Sequence, residues 1–254
     1  GNVVFNEASA DVDFRVESNG NANMLFVEGG TDRVGIGTAT LANKLEVDGG
    51  SAETRLRVST TGTDANEAGI ILANSSKSAD NDGIEISHGG GYTTFSGLTG
   101  TEYMRITGGT GIITQPQQPA FSAKAGGSQT NIAVGSSVDV VLGTEIFDQN
   151  ADFASNTFTA PVTGKYSLNA HFYLGGLDSG ADYIQGQITT SNRNYVQVFS
   201  LNGFDADFLY MPMTISVVAD MDASDTAKLQ LYQGGGTQQI DVDGSTYFTG
   251  YLLG

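Results

Sequence analysis

Long stretches of alternating apolar and polar residues constrain the fold of this chain more than any other feature. Residues 165–174 alternate in this way, and so do residues 209–217. A period of two gives a β-strand one apolar face, whereas a helix needs a period near 3.6. The pattern predicts two long strands, each with one face in a core. The apolar positions are Tyr166, Leu168, Ala170, Phe172 and Leu174 in the first, and Leu209, Met211, Met213, Ile215 and Val217 in the second.

The composition favours an all-β chain. The 254 residues include 35 glycines and only 4 prolines. Ser, Thr, Asn and Asp are also plentiful, and this mixture is rich in turn formers and poor in helix formers. Turn signals at intervals of ~8–12 residues in the second half are typical of a β-sandwich.

Charge and the rare residue types exclude several classes of function. The chain carries 28 acidic and 11 basic side chains, a net charge of −17, which disfavours binding to nucleic acid or anionic lipid. It has no cysteine, which excludes thiolate metal sites, and only two histidines, which leave few residues for histidine-based catalysis. No segment approaches the ~20 apolar residues of a membrane span, and no leader opens the chain. We therefore expect no enzymatic activity, no nucleic-acid partner and no membrane insertion.

A proline cluster, Gln115–Pro119, suggests a boundary in the chain. Because it lacks apolar residues and resists both helix and sheet, it predicts a linker over residues 116–120. The linker separates a repetitive β shaft domain, residues 1–115, from a head domain, residues 121–254.

The shaft half is built of short alternating segments, such as Val12–Val16, Leu45–Val47 and Leu56–Val58. Strands this short bury little area and leave their edges unpaired. We expect identical chains to intertwine, so that each supplies strands to a shared core.

Three segments of this half resemble units of phage tail fibres and related fibrous virion proteins. They are Leu25–Thr38, Lys44–Gly49 and Gly100–Thr107. The resemblance implies a trimeric, intertwined β shaft and a location on the virion or otherwise outside the cell. It also implies contact with other virion proteins through the N-terminal end.

A phosphate-binding loop is the alternative interpretation of Val34–Thr38. A dinucleotide-binding fingerprint needs G-x-G-x-x-G followed by a helix. Thr40 stands where the third glycine belongs, and Leu41–Lys44 are too few residues for a helix. The spacing therefore disfavours a nucleotide site.

The second half resembles the globular domain of complement component C1q and its relatives. The resemblance implies a ten-stranded jelly roll of the tumour-necrosis-factor type, assembled as a homotrimer. One departure is Ser224-Asp225, where relatives usually have Gly-Asp. The residues that carry the resemblance are Pro119–Ser122, Phe147-Asp148, Phe153, Asn156–Tyr166, Leu229–Leu231 and Ser245–Leu253.

Bulky side chains on both faces of two strands suggest contact with another subunit. A sandwich strand needs only one apolar face, and aromatic residues concentrate at interfaces. We predict that the second faces form the trimer interface, through His171, Tyr173, Tyr247 and Tyr251.

Calcium is the one cofactor that the sequence leaves open. Closely spaced Asp residues in loops often supply Ca²⁺ ligands. The resemblance places Asp205 and Asp207 in an apical loop that holds calcium in C1q-like heads, while solvated loop carboxylates remain the alternative. Further acidic clusters are Asp220/Asp222/Asp225 and Asp241/Asp243.

Tyr195 and Phe204 are the predicted receptor-binding residues, because each lies beside a turn-forming residue and is expected to be exposed. The whole pattern indicates a non-enzymatic virion fibre whose head binds a host-surface glycan or protein through three identical sites. Two alternatives stay open: a non-viral bacterial C1q-like adhesin, and a tailspike-type enzyme that degrades glycans.

Overall fold

The computed structural model describes residues 11–50, 54, 56–59, 68–73, 79 and 83–254. The chain divides into two compact units, Gly1–Thr63 and Asp64–Gly254. Every helix or strand assigned among the described residues is a β-strand, which confirms the predicted all-β class. The expected linker at 116–120 falls within the second unit, and the three-part domain division stays a prediction.

The first unit contains a four-stranded sheet of very short strands. Its order is β1-β2-β3-β4; the first three strands are antiparallel, and β4 runs parallel to β3. The predicted strand at Leu56–Val58 is wrong: residues 56–59 have no regular structure, because a triplet without a hydrogen-bonded partner does not persist as a strand. The strands are β1 (Phe14–Val16), β2 (Leu25–Glu28), β3 (Arg33–Ile36) and β4 (Leu45–Val47).

The second unit begins with an antiparallel meander in which each strand pairs with the next. Its tightest turn joins β6 to β7 through Gly90 and Gly91, whose φ angles are 55° and 87°. Two successive positive φ values are the requirement of a type I′ hairpin turn, which explains the glycines. The strands are β5 (Ala68–Ala73), β6 (Gly83–Gly89), β7 (Tyr92–Gly97), β8 (Glu102–Thr107) and β9 (Ile113–Thr114).

Two sheets form the head. The front sheet has the order β12-β10-β21-β15-β18, with β20 paired to β15, and the back sheet has the order β13-β14-β19-β16-β17, with β11 paired to β19. The strands are β10 (Ala120–Lys124), β11 (Val138–Asp139), β12 (Thr144–Asp148), β13 (Phe153–Ala154), β14 (Thr157–Thr159), β15 (Gly164–Leu177), β16 (Ala181–Thr190), β17 (Asn194–Ser200), β18 (Phe208–Met221), β19 (Thr226–Gly235), β20 (Asp241–Val242) and β21 (Tyr247–Leu252).

This strand order is that of a jelly-roll sandwich. The chain crosses between the two sheets repeatedly, and β21 returns to pair with the first head strand, β10. Residues 165–174 behave as predicted, with the five alternating apolar side chains buried. In the second stretch Leu209 is the exception at 77% exposed. The β15–β18 ladder skips the pair of Gly176 and Leu209, and this irregularity breaks the alternation.

An aromatic cluster between the sheets explains the residues that resemble C1q. The Phe121 ring lies 4.7 Å from Phe158, 5.1 Å from Phe153 and 5.0 Å from Phe248, measured between centroids. Gly250 faces the same ring, and an added Cβ there would lie 2.6 Å from Phe121. Asn156–Tyr166 and Ser245–Leu253, two of the segments that resemble C1q, therefore meet in one core.

Ser224, where the resemblance leads us to expect glycine, adopts a φ of 76°. This left-handed conformation costs a side-chain-bearing residue energy that glycine avoids. The turn still forms, because the Ser224 N–H donates to the Ala160 carbonyl at 2.7 Å. The departure from the pattern is therefore a strained turn within an intact fold.

Candidate functional site

The outward side of the front sheet carries an uncovered row of aromatic side chains, called here the aromatic face: His171, Tyr173, Tyr210, Tyr247 and Tyr251. The His171 and Tyr247 rings stack with centroids 5.0 Å apart, and the Tyr173 and Tyr210 rings stack at 5.3 Å. All four predicted interface residues belong to this face.

Strand alternation creates the aromatic face. His171 lies between Ala170 and Phe172, which are both buried in the core, so its own side chain points to the other side of the sheet. Tyr247 and Tyr251 flank buried Phe248 and Gly250 in the same way. In one chain Tyr247 is 42% and Tyr251 is 48% exposed, so a large aromatic area remains for a partner to bury.

A groove opens at the edge of the sandwich, where β17 and β18 end the two sheets. Its volume is about 230 Å³. Sequence analysis missed this groove, because it forms where β17 and β18, although consecutive in the chain, belong to two different sheets. The lining residues are Gln197, Phe199, Met211, Pro212, Met213 and Thr214.

The structure separates the two residues predicted to bind a receptor. Tyr195 is half-buried at the start of β17 and packs against the core. Phe204 follows the other end of that strand and is 44% exposed. Its ring lies edge-on to Phe208 at 4.5 Å and stacks on Phe199 at 6.0 Å. A common site at Tyr195 and Phe204 stays a prediction.

The acidic loop residues mostly accept hydrogen bonds from nearby loops. Asp207 Oδ1 accepts bonds from the Ser179 amide and hydroxyl, both at 2.8 Å. Asp225 binds Ser191 and Asn192. Across the described part of the chain, no group of three or more acidic, histidine or cysteine side chains is placed to hold a metal ion. Asp205 and Asp207 would therefore need backbone or hydroxyl oxygens to complete a calcium site, which stays a prediction.

Backbone contacts account for the glycines of the Val34–Thr38 segment. A Cβ on Gly35 would collide with the Thr38 carbonyl, and a Cβ on Gly37 would collide with the Asp48 carbonyl. Gly37 also has a φ of 85°. These glycines allow β3, β4 and their connecting loop to approach closely.

Both histidines lie on strands beside threonine. His88 Nδ1 lies 3.0 Å from the Thr93 hydroxyl, and His171 Nδ1 lies 3.3 Å from the Thr214 hydroxyl. The histidines therefore occupy cross-strand positions on two different sheets.

Asp178 forms a loop staple that the sequence did not reveal. Its carboxylate accepts hydrogen bonds from the amides of Gly180, Thr237 and Gln238 at 2.6–2.8 Å. These bonds lower the pKa of Asp178 and join the β15–β16 turn to the loop after β19. An isolated Asp in a turn gives no sign of a partner sixty residues away.

No family model matches the chain, and no curated protein sequence matches it. Among solved structures, the globular domain of zebrafish complement 1qA is 16% identical, with a TM-score of 0.41 over 54% of this chain and 98% of that chain. Murine APRIL is 9% identical, with a TM-score of 0.40 over 54% of this chain and 100% of that chain. The jelly-roll assignment rests on the strand order and the core described above.

Within the residues that the structure describes, no helix is long and apolar enough to cross a membrane.

Proposed function

We propose that this chain is a non-enzymatic, homotrimeric virion fibre protein whose C-terminal head binds a glycan or protein on the host surface. One observation carries the proposal: three different sheets of the chain each present an apolar or aromatic face that no other part of the described chain covers. Soluble monomers rarely expose large apolar patches, and such patches mark association surfaces.

The four-stranded sheet of the first unit shows this most clearly. One of its faces is wholly apolar, since the cross-strand register aligns Phe14, Val27, Val34 and Leu45 in one row. Five residues of this face, Val16, Val27, Ile36, Leu45 and Val47, are 36–59% exposed. A sheet this small cannot bury the face against itself, so further copies of the chain are the natural cover.

The meander sheet, β5 to β9, also has an exposed apolar face. The register aligns Ile70, Ile86, Phe95 and Met104 across four strands. Ile70, Leu72, Ile84 and Ile113 are 44–60% exposed. Packing the same face of several copies around one axis would bury these residues together.

The head offers two unlike surfaces, the aromatic face and the β17–β18 groove. When two different patches of one protein bind each other between copies, the contact closes into a ring if the rotation permits. A C3 ring would seat the aromatic face of one copy near the Met211–Met213 edge of the next. The number three comes from the resemblance of both halves to trimeric proteins.

The role on the virion also rests on those resemblances. The fibre-like segments Leu25–Thr38 and Lys44–Gly49 supply β2, β3 and β4 of the small sheet, whose N-terminal side would face other virion proteins. Three heads on one body would bind a host surface with increased avidity even where each site is weak.

Two measurements test the proposal. Light scattering should give three times the chain mass of 26.4 kDa, and a monomer at micromolar concentration would contradict the shared-core argument. Labelled protein should bind candidate host cells, with a glycan array to identify the receptor. Release of reducing ends from host polysaccharide would show an enzyme instead.

A further inference from the structure

The meander sheet has a second face, opposite its apolar one, that contains a polar cavity of about 230 Å³. Alternation again explains the separation: Glu85 and Ser87 point to one side of β6, while Ile84 and Ile86 point to the other. The lining residues are Glu85, Ser87, Gly89, Tyr92, Thr94, Ser96, Gly100, Glu102 and Arg105.

One side of the cavity is held rigid by a charged cluster. Arg105 Nε donates to Glu102 Oε2 at 3.0 Å, and the Arg105 guanidinium lies 4.2 Å from the centroid of the Tyr92 ring. The Ser87 and Thr94 hydroxyls pair across the strands at 2.9 Å. These contacts fix hydrogen-bonding groups in place before any ligand arrives.

The other side has unused hydrogen-bonding capacity. Glu85 is half-buried and lies opposite Ser96 in the β6–β7 ladder. Ser96 is 9% exposed. Among the contacts of the described residues, neither side chain has a hydrogen-bond or ion-pair partner. Neither side chain has a polar atom that is both sealed from solvent and unpaired, so both remain open to hydrogen bonds with a polar ligand that enters the cavity.

Glycines keep the cavity open. A Cβ on Gly100 would meet nothing within 4 Å, which shows free space above that turn. Gly69, on the neighbouring strand, leaves room for the Glu85 carboxylate, since an added Cβ there would lie 3.3 Å from Glu85 Oε1. The volume suits one small ring rather than a drug-sized ligand.

We propose that this cavity binds one saccharide unit. Each sugar hydroxyl both donates and accepts, and the cavity offers acceptors in the carboxylates of Glu85 and Glu102 together with donors in Arg105 and the hydroxyls. A cation suits the cavity less well, because the Arg105 charge offsets one of the two carboxylates. The site lies outside the head, so it is additional to the receptor site of the proposed function.

Saturation-transfer NMR on the full chain tests the site, with free glucose, galactose, mannose and N-acetylglucosamine as probes. We expect at least one sugar to receive saturation from the protein. Glu85→Gln should weaken that binding by about tenfold, through loss of one charge-assisted hydrogen bond, and Ser96→Ala should weaken it several-fold. Glu46→Gln, at a half-buried glutamate of β4, should leave it unchanged.

The possible results separate clearly. The proposal is overturned if no sugar receives saturation. It is also overturned if saturation is equal in wild type, Glu85→Gln and Ser96→Ala. Binding of methylammonium in place of every sugar shows a cation site and also overturns it. Circular dichroism checks that each variant folds. If Glu85→Gln does not fold, the result for Ser96→Ala decides the test. The light-scattering mass is independent of all these results, so the saccharide site and the trimer can fail separately.

Discussion

His171 and Tyr247 are direct partners in the ladder between β15 and β21, and their rings stack at 5.0 Å on the outward side of the front sheet. This stack lies at the centre of the aromatic face. If the face is buried between copies of the chain, a charge at Tyr247 would be desolvated there and would oppose assembly.

Tyr247→Asp should therefore reduce the light-scattering mass from three chains toward one. The matched control is Tyr232→Asp, since Tyr232 forms a similar stack with Tyr183 at 5.7 Å on the back sheet. The control should leave the mass unchanged. An unchanged mass in Tyr247→Asp would mean that the aromatic face is not the interface.

The Asp178 staple should make the head sensitive to acid. Hydrogen bonds from the Gln238, Thr237 and Gly180 amides lower the pKa of Asp178. Its contribution is therefore complete above the unfolded-state pKa of ~3.9 and is lost as the pH falls through the lower folded-state pKa. Asp178→Asn at pH 7 should cost about 2 kcal/mol, because it leaves amides without an acceptor. Urea unfolding measures this cost, and Asp182→Asn, at an exposed neighbouring carboxylate, should change little.

Asp152 should destabilise the head at neutral pH. Burial raises its pKa, and the nearby Asp148 carboxylate raises it further; its Oδ2 is buried without a hydrogen-bond partner. Asp152→Asn removes the charge and should raise the Tm by about 2 °C at pH 7. The gain should vanish at a pH below the unfolded-state pKa, where Asp152 is protonated in both states.

Asp148 provides the contrast. Its carboxylate accepts hydrogen bonds from the amides of Asp152 and Phe153 at 3.0 and 2.9 Å, so Asp148→Asn should lower the Tm at pH 7. Equal effects of the two substitutions in calorimetry would contradict this account.

Ser224→Gly should stabilise the head by about 1 kcal/mol, since glycine adopts the φ of 76° without the penalty of a side chain. Ala223→Gly next to it should lower stability instead, because Ala223 has no positive φ to relieve. Chemical denaturation of both variants measures the difference, and destabilisation by Ser224→Gly would show that its side chain contributes more than the strain costs.

The calcium prediction has a direct test. If Asp205 and Asp207 bind Ca²⁺, a chelator should lower the Tm and added Ca²⁺ should restore it. Asp205→Asn should abolish the shift, whereas Asp222→Asn should retain it. Asp207 is a poorer variant, because its change would also break the bonds to Ser179. If neither the chelator nor added Ca²⁺ changes the Tm, the result would count against calcium binding at Asp205 and Asp207.

Much of the head follows from local patterns. The alternation in residues 165–174 predicts both the buried face and the outward aromatic positions, since a period of two assigns each side chain to a face. The same reasoning fails at Leu209, where a ladder irregularity breaks the alternation, and at Leu56–Val58, where an alternating triplet has no partner. Periodicity predicts faces only where a ladder is regular.

The candidate sites depend on contacts between distant segments, which the sequence does not encode locally. Asp178 and the 237–238 amides are about sixty residues apart, and the groove at Met211 forms from strands of two different sheets. Tyr195 and Phe204 each lie beside a turn-forming residue, yet Tyr195 is near the start of β17 and Phe204 follows its end. Being next to a turn therefore did not show whether the two side chains share a site.

The sequence by itself determined the all-β class, the exclusion of thiolate chemistry and the faces of the regular strands, because these depend on composition and on neighbours along the chain. The tertiary structure alone decided which faces remain uncovered, where Glu85 and Ser96 share an open cavity, and which carboxylates are held by distant amides. Those properties arise from strand order and register, which bring remote residues within hydrogen-bonding distance.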